Sequence, residues 1–145
     1  MRKPAARSVI FAFAGLFVVA QLVPIRHDNP PAGAGPAMPA PVAAILKRSC
    51  NDCHTNETIW PWYSHVAPVS WLVARDVNGG RRHLNFSEWS SYRPDQRQKR
   101  MQDLVEVVER GDMPIWFYVP LHSEARLGPD DIKTLTSWAP TAGGS

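Results

Sequence analysis

The chain holds two cysteines, three residues apart, with a histidine directly behind the second: Cys50-Asn51-Asp52-Cys53-His54. Three residues make about one helical turn, so on a helix both sulfurs emerge on one side and the His54 imidazole follows from that same side. Scattered at random, two cysteines and five histidines give this arrangement in roughly one of 2,000 placements. The spacing is that of C-x-x-C-H, the attachment sequence for c-type haem, in which each sulfur adds across a haem vinyl group and the histidine binds the iron. The rival explanations are a structural disulfide and a thioredoxin-like redox pair. A redox pair opens a helix after a strand in a βαβ setting, and no such setting is visible in the sequence. One covalently bound haem per chain then constrains the fold, because separate segments must converge on a single large apolar surface.

A length of 145 residues gives room for one domain. All six tryptophans lie from residue 60 onward, a generous apolar lining for about a hundred folding residues. The formal charge of +3 invites a nucleic-acid reading, but Arg2, Lys3, Arg7 and Arg26 against Asp28 account for all of it. From residue 42 on, 12 basic and 12 acidic side chains cancel, so the folded part lacks the electrostatic footprint that phosphate binding needs.

Residues 1 to 28 read as a membrane anchor or signal segment. Arg2, Lys3 and Arg7 precede or open a run, residues 8 to 25, that carries no charge and only Gln21 as a strongly polar residue. Eighteen residues approach the ~20 needed to cross the hydrocarbon layer. The cationic flank places the N-terminus in the cytoplasm and the remainder outside it. The alternative is cleavage after Ala20, which would release a soluble periplasmic protein. The anchor is favoured because the apolar run continues through Leu22, Val23 and Ile25. Residues 29 to 41, rich in proline and alanine, read as an extended linker.

The folded part, residues 42 to 140, shows helical periodicity and no sustained alternation, which predicts an all-α domain. A short helix runs from Val42 into the motif. A second starts at Val69, with Val69, Leu72, Val73 and Val77 as its inner face and Asn78, Gly79 and Gly80 as its end. The clearest spans about Pro94 to Arg110, with Met101, Leu104, Val105 and Val108 inside and Gly111 as the stop. A last helix begins at Pro129, with Ile132, Leu135 and Trp138 inside. Residues 141 to 145 read as a flexible tail. The connections at 55 to 67, 81 to 93 and 112 to 128 are long and irregular, and packing on a haem would organise them.

Beyond the five-residue motif, residues 50 to 138 resemble the c-type haem-binding domain family of bacterial membrane-associated proteins. The stretches that carry the resemblance are CNDCHTNETIWPWYSHVAPVSWLV, DVNGGRRHLNFSEW, GDMPIWFY and LHSEARLGPDDIKTLTSW. The resemblance implies haem binding in a small cytochrome-c-like helical domain.

With His54 on one side of the iron, the other axial position needs a ligand. Met1, Met38 and His27 lie outside the domain, and Met101 fits the inner stripe of its helix. Met113 follows the helix stop at Gly111 and precedes Pro114, which biases it toward an extended backbone. A thioether on a loop before the last helix resembles the arrangement of class I cytochromes c. His122 is the alternative sixth ligand, ahead of His65 and His83. Trp60, Trp62, Tyr63, Trp71, Trp116 and Phe117 are candidates for haem lining or for plain core. Arg75, Arg81 and Arg82 are candidates for pairing haem propionates or for a solvated surface. Arg93, Arg97, Lys99 and Arg100 read as a docking face for an acidic partner or as the outer face of a helix. No carboxylate pair, nucleophile with a base or phosphate-binding loop stands out. The expected function is one-electron transfer with a redox partner protein at the periplasmic side of the membrane. A gas sensor or ligand-binding module is the alternative, followed by a peroxidase-like enzyme.

Overall fold

The computed structural model describes residues 6 to 144, so Arg2 and Lys3 of the cationic flank and Ser145 of the tail lie outside it. Among the described residues, six α-helices follow in order: α1 Ala6–Ala20, α2 Ala40–Ser49, α3 Asn51–His54, α4 Val69–His83, α5 Pro94–Glu109 and α6 Pro129–Gly143. Among the described residues there is no strand, and the all-α expectation holds. Short 3-10 turns occupy Trp62–His65, Phe86–Ser91 and Ser123–Ala125. The chain divides into two compact units, residues up to 28 with 60 to 76, and 29 to 59 with 77 onward.

In the first unit, α1 buries none of its side chains, and Phe11, Phe13, Leu16 and Val18 stand exposed. The helix ends at Ala20, short of the residue-25 limit that hydropathy suggests. Pro24 disfavours helical geometry at Val23, and Gln21 turns its side chain to the backbone of Ala67, accepting from its N–H and donating to its carbonyl. At 1.5 Å per residue the helix is about 22 Å long, and no helix among the described residues is long and apolar enough to cross a membrane. His27 sits edge-on to Trp60 and tilted against His65, with ring centroids 4.6 and 4.2 Å away, and its Nε2 lies 2.8 Å from the Ser64 carbonyl.

The second unit is built on α5 packed along α6, with α2 against α6 and against α3. Its core gathers Val42, Ile45 and Leu46 of α2, Met101, Leu104 and Val108 of α5, and Leu135, Trp138 and Ala139 of α6. These follow the spacings of three and four read from the sequence. Helix α6 begins at Pro129, where the Asp131 carboxylate accepts the Gly128 N–H at 2.9 Å and pairs with Arg48 at 2.7 Å. Those two contacts hold the Asp131 carboxyl below the usual carboxylate range. The helix runs through Pro140 to Gly143, where a β-carbon would lie 3.0 Å from the Gln98 Cα. Residues 141 to 143 therefore belong to the helix pair.

Residues 29 to 39 are extended, as their prolines dictate, and lie along this same unit. The Gly33 N–H donates to the Ser87 carbonyl, Asn56 Nδ2 donates to the Pro31 carbonyl, Trp138 Nε1 donates to the Ala37 carbonyl, and Pro36 is buried. The irregular loops are organised by a buried polar network. Asn85 Nδ2 donates to Asn56 Oδ1 at 2.8 Å, the Asn56 N–H to Ser87 Oγ at 2.9 Å, and the Ser87 N–H to Asn85 Oδ1 at 3.0 Å. Tyr92 closes it by accepting the Asn85 N–H.

Helix α4 departs from expectation. It passes through Gly79 and Gly80 to His83, and its buried residues are Ser70, Ala74 and Val77, while Val69 and Leu72 are exposed. The reason is local: Gly80 is packed so tightly on Cys53 that only a residue without a side chain fits.

Candidate haem site

Cys50 is the hinge between α2 and α3, with φ −131° interrupting the helix. It leaves Asn51 to His54 as one tight turn. Neither cysteine is in a disulfide. Burial, reinforced by Cys53 and opposed by Arg48, pushes the Cys50 thiol up to about 12. A raised thiol pKa at Cys50 runs opposite to the low-pKa thiolate on which thiol–disulfide exchange depends.

His54 Nδ1 lies 2.9 Å from the Leu84 carbonyl oxygen. A carbonyl only accepts, so Nδ1 carries the proton and Nε2 keeps the lone pair. Metal-binding histidines are oriented in this way, by a bond to the nitrogen that does not bind the metal. Burial lowers the His54 pKa below the ordinary histidine value, against the opposing pull of the Leu84 and Gly80 carbonyls, which keeps the ring neutral. Leu84 is placed by the end of α4, its N–H bonded to the Gly80 carbonyl at 2.8 Å. Gly80 thus brings α4 onto Cys53 while Leu84 sets the ring of His54. Neither residue was singled out for this role from the sequence, although glycines inside an apolar helical pattern signal a close approach.

Met113 leaves α5 through a Schellman turn. Gly111 has φ +75°, its N–H meets the Val108 carbonyl, and the N–H groups of Asp112 and Met113 meet that of Val107. The thioether lines an apolar hollow of about 310 Å³ together with Val108, Pro114, Trp116, Leu127 and Ile132. Leu127 and Ile132 also pack on the core against which Cys50 rests. His122 is engaged elsewhere: its ring stacks on Tyr118 at 4.0 Å and its Nδ1 lies 3.5 Å from the Glu124 carboxylate. His83 is exposed at the end of α4, and His65 belongs to the first unit.

Of the other candidates, Arg81 is committed to structure, donating to the Thr55 carbonyl, the Asn29 side chain and the Thr58 hydroxyl. It is not a free propionate partner, because three protein oxygens already share its guanidinium. Arg97 and Arg100 lie over the rings of Trp89 and Tyr92, 5.7 and 4.2 Å from their centroids. Trp89 and Trp138 are core, whereas Trp62, Trp71 and Trp116 are exposed.

Two cysteines and an imidazole oriented by Leu84 on one turn are the donor set that haem attachment uses; the apolar hollow beside Met113 lies in the same unit, and none of the motif's residues lines it. The class defined by this fold and site is a small helical haem protein. In agreement, the haem-binding domain family matches residues 15 to 141, and the chain belongs to that family. No curated protein and no solved structure matches it.

Proposed function

We infer that this protein is a one-electron carrier of the c type, attached to its haem through Cys50 and Cys53, with His54 and Met113 as axial ligands. The observation that carries the reading is the bond from His54 Nδ1 to Leu84, which presents Nε2 as a ligand beside the two motif cysteines. The haem supplies a reversible one-electron couple and an apolar surface. The chain's residues supply the rest. Cys50 and Cys53 offer their sulfurs from one turn, Gly80 lets α4 close on that turn, and the Leu84 carbonyl holds the imidazole in one tautomer. Met113 is a soft, uncharged donor that favours ferrous iron and raises the potential.

Export to the periplasmic side of the bacterial cytoplasmic membrane is part of the same reading. Helix α1 is apolar on all sides and buries none of them, which suits lipid rather than water. The basic residues at its N-terminal end orient it with the domain outside. Its shortness is accommodated by local thinning of the bilayer.

The test is an optical spectrum of the protein expressed with a haem-maturation system, with and without carbon monoxide. A reduced protein inert to carbon monoxide supports electron transfer. Rapid binding would favour the gas-sensing or enzymatic readings instead.

A further inference from the structure

Asp52, between the two attachment cysteines, receives a hydrogen bond from a residue 66 positions away: the Tyr118 hydroxyl donates to its Oδ2 at 2.9 Å. The rest of Asp52 is used close to home. Its Oδ1 accepts the Ile59 N–H at 3.2 Å, and its carbonyl accepts the Thr58 hydroxyl at 2.7 Å. The carboxylate is therefore fixed to the motif on one side and to Tyr118 on the other.

Tyr118 lies five residues beyond Met113, on the irregular segment between α5 and α6. That segment is held at its start by the Schellman turn, and the Met113 N–H reaches the Val107 carbonyl at 3.3 Å. After that, little burial restrains it, since Trp116 and Leu121 are 81% and 68% exposed. Its folding back on itself is local, through the Tyr118 N–H to the Ile115 carbonyl and the His122 N–H to the Val119 carbonyl. The stack of Tyr118 on His122 is likewise internal to the segment. The bond to Asp52 is different in kind, because it joins the segment to the attachment turn. Further along, Arg48 also ties the segment down by donating to the Glu124 and Arg126 carbonyls; bonds to a carboxylate are among the stronger ones, so the exposed stretch between Met113 and His122 opens at a rate that the Asp52 bond influences.

We propose that Tyr118 is a positioning residue: by donating to Asp52 inside the attachment motif it clamps the segment that carries Met113, and so sets how often the iron's sixth position opens. The inference rests on the reading of Met113 as the sixth ligand. Tyr118→Phe tests the effect, because it keeps the ring that stacks on His122 and removes the hydroxyl that donates to Asp52.

The experiment uses the full-length, haem-loaded protein and three measurements: the rate of carbon monoxide binding to the reduced form, the thermal loss of the near-infrared sulfur-to-iron band, and amide exchange over residues 115 to 122. In Tyr118→Phe the covalent haem stays, carbon monoxide binds roughly tenfold faster or more, in line with the loss of one charge-assisted bond, the band disappears at lower temperature, and the amides exchange faster. In a Met113→Ala background, Tyr118→Phe should add no further acceleration. Faster exchange with an unchanged band and carbon monoxide rate would overturn the proposal by confining Tyr118 to loop structure, and unchanged exchange would overturn the clamp itself. Absence of the band from the wild type would instead remove Met113 as ligand, a failure of the underlying reading that amide exchange in Tyr118→Phe tells apart from failure of the clamp.

Discussion

A β-carbon placed on Gly80 would fall 2.5 Å from the Cys53 carbonyl oxygen and 3.0 Å from its Cβ. The contact is with backbone, which has no rotamer to yield, so any side chain there pushes α4 away from the attachment turn. Leu84 would move with it, and with Leu84 the acceptor that orients His54.

Gly80→Ala should therefore destabilise the protein by roughly 1–3 kcal/mol despite alanine's better helix propensity, and lower the yield of attached haem. Gly79→Ala is the control. Its nearest neighbour is the flexible end of Arg82 at 3.9 Å, so the gain in propensity, up to ~1 kcal/mol, should appear unopposed. Thermal melts of the two variants test this, and equal effects would show that the contact with Cys53 does not decide the packing.

Covalent attachment predicts that haem stays with the chain through acid-acetone extraction and denaturing electrophoresis. Replacing Cys50 and Cys53 together by alanine should abolish this while leaving the helices intact by circular dichroism. Extractable haem in the unaltered protein would rule out the thioethers.

The polar network behind the site makes a separate demand. Asn85 is 1% exposed and bonds to Asn56, Ser87 and, through its N–H, the Tyr92 hydroxyl. Asn85→Ala strands a buried oxygen and a buried N–H, and should cost roughly 2–4 kcal/mol. For a domain of this size that lowers the melting temperature by about 10 °C or more. A shift of only a degree or two would mean that water replaces the lost partners.

The residues these variants probe also mark which parts of the fold are legible in the sequence. Helices α5 and α6 are legible because their stop and start signals are backbone requirements: Gly111 adopts φ +75°, and Pro129 needs no donor at a first turn. Helix α4 is misread at its end because a glycine pair is both a stop signal and a site of close approach, and only the position of Cys53 in space decides between them. Arg81 reads as surface because the three oxygens that bind it come from residues 29, 55 and 58. The partnership of Tyr118 with Asp52 leaves no periodic trace at all. The attachment turn itself is legible because its chemistry depends on adjacency along the chain.

Topology is testable without the haem. The full-length protein should fractionate with membranes and resist alkaline carbonate, while protease added from the periplasmic side reaches residues 29 onward. α1 is unbroken helix to Ala20 with every apolar side chain unburied by protein, so insertion in lipid is the outcome its surface favours. A soluble mature protein beginning at Gln21 would instead make α1 a cleaved signal.

The last prediction concerns the sixth ligand. Met113 is placed by the turn at Gly111 on the rim of an apolar hollow, whereas His122 is occupied by its stack on Tyr118 and its contact with Glu124. For His122 to reach a metal it would have to give up both, and Met113 gives up neither a hydrogen bond nor a core position. The ferric protein should therefore show the weak near-infrared sulfur-to-iron band, and Met113→Ala should remove it with the covalent haem still in place. Loss of a soft thioether destabilises ferrous iron relative to ferric, so the potential should fall by roughly a hundred millivolts or more. Carbon monoxide should then bind the reduced variant faster than the parent. If Met113→Ala leaves spectrum and potential unchanged while His122→Ala alters both, the iron is bis-histidine coordinated, and the Tyr118 stack must open to release the ring.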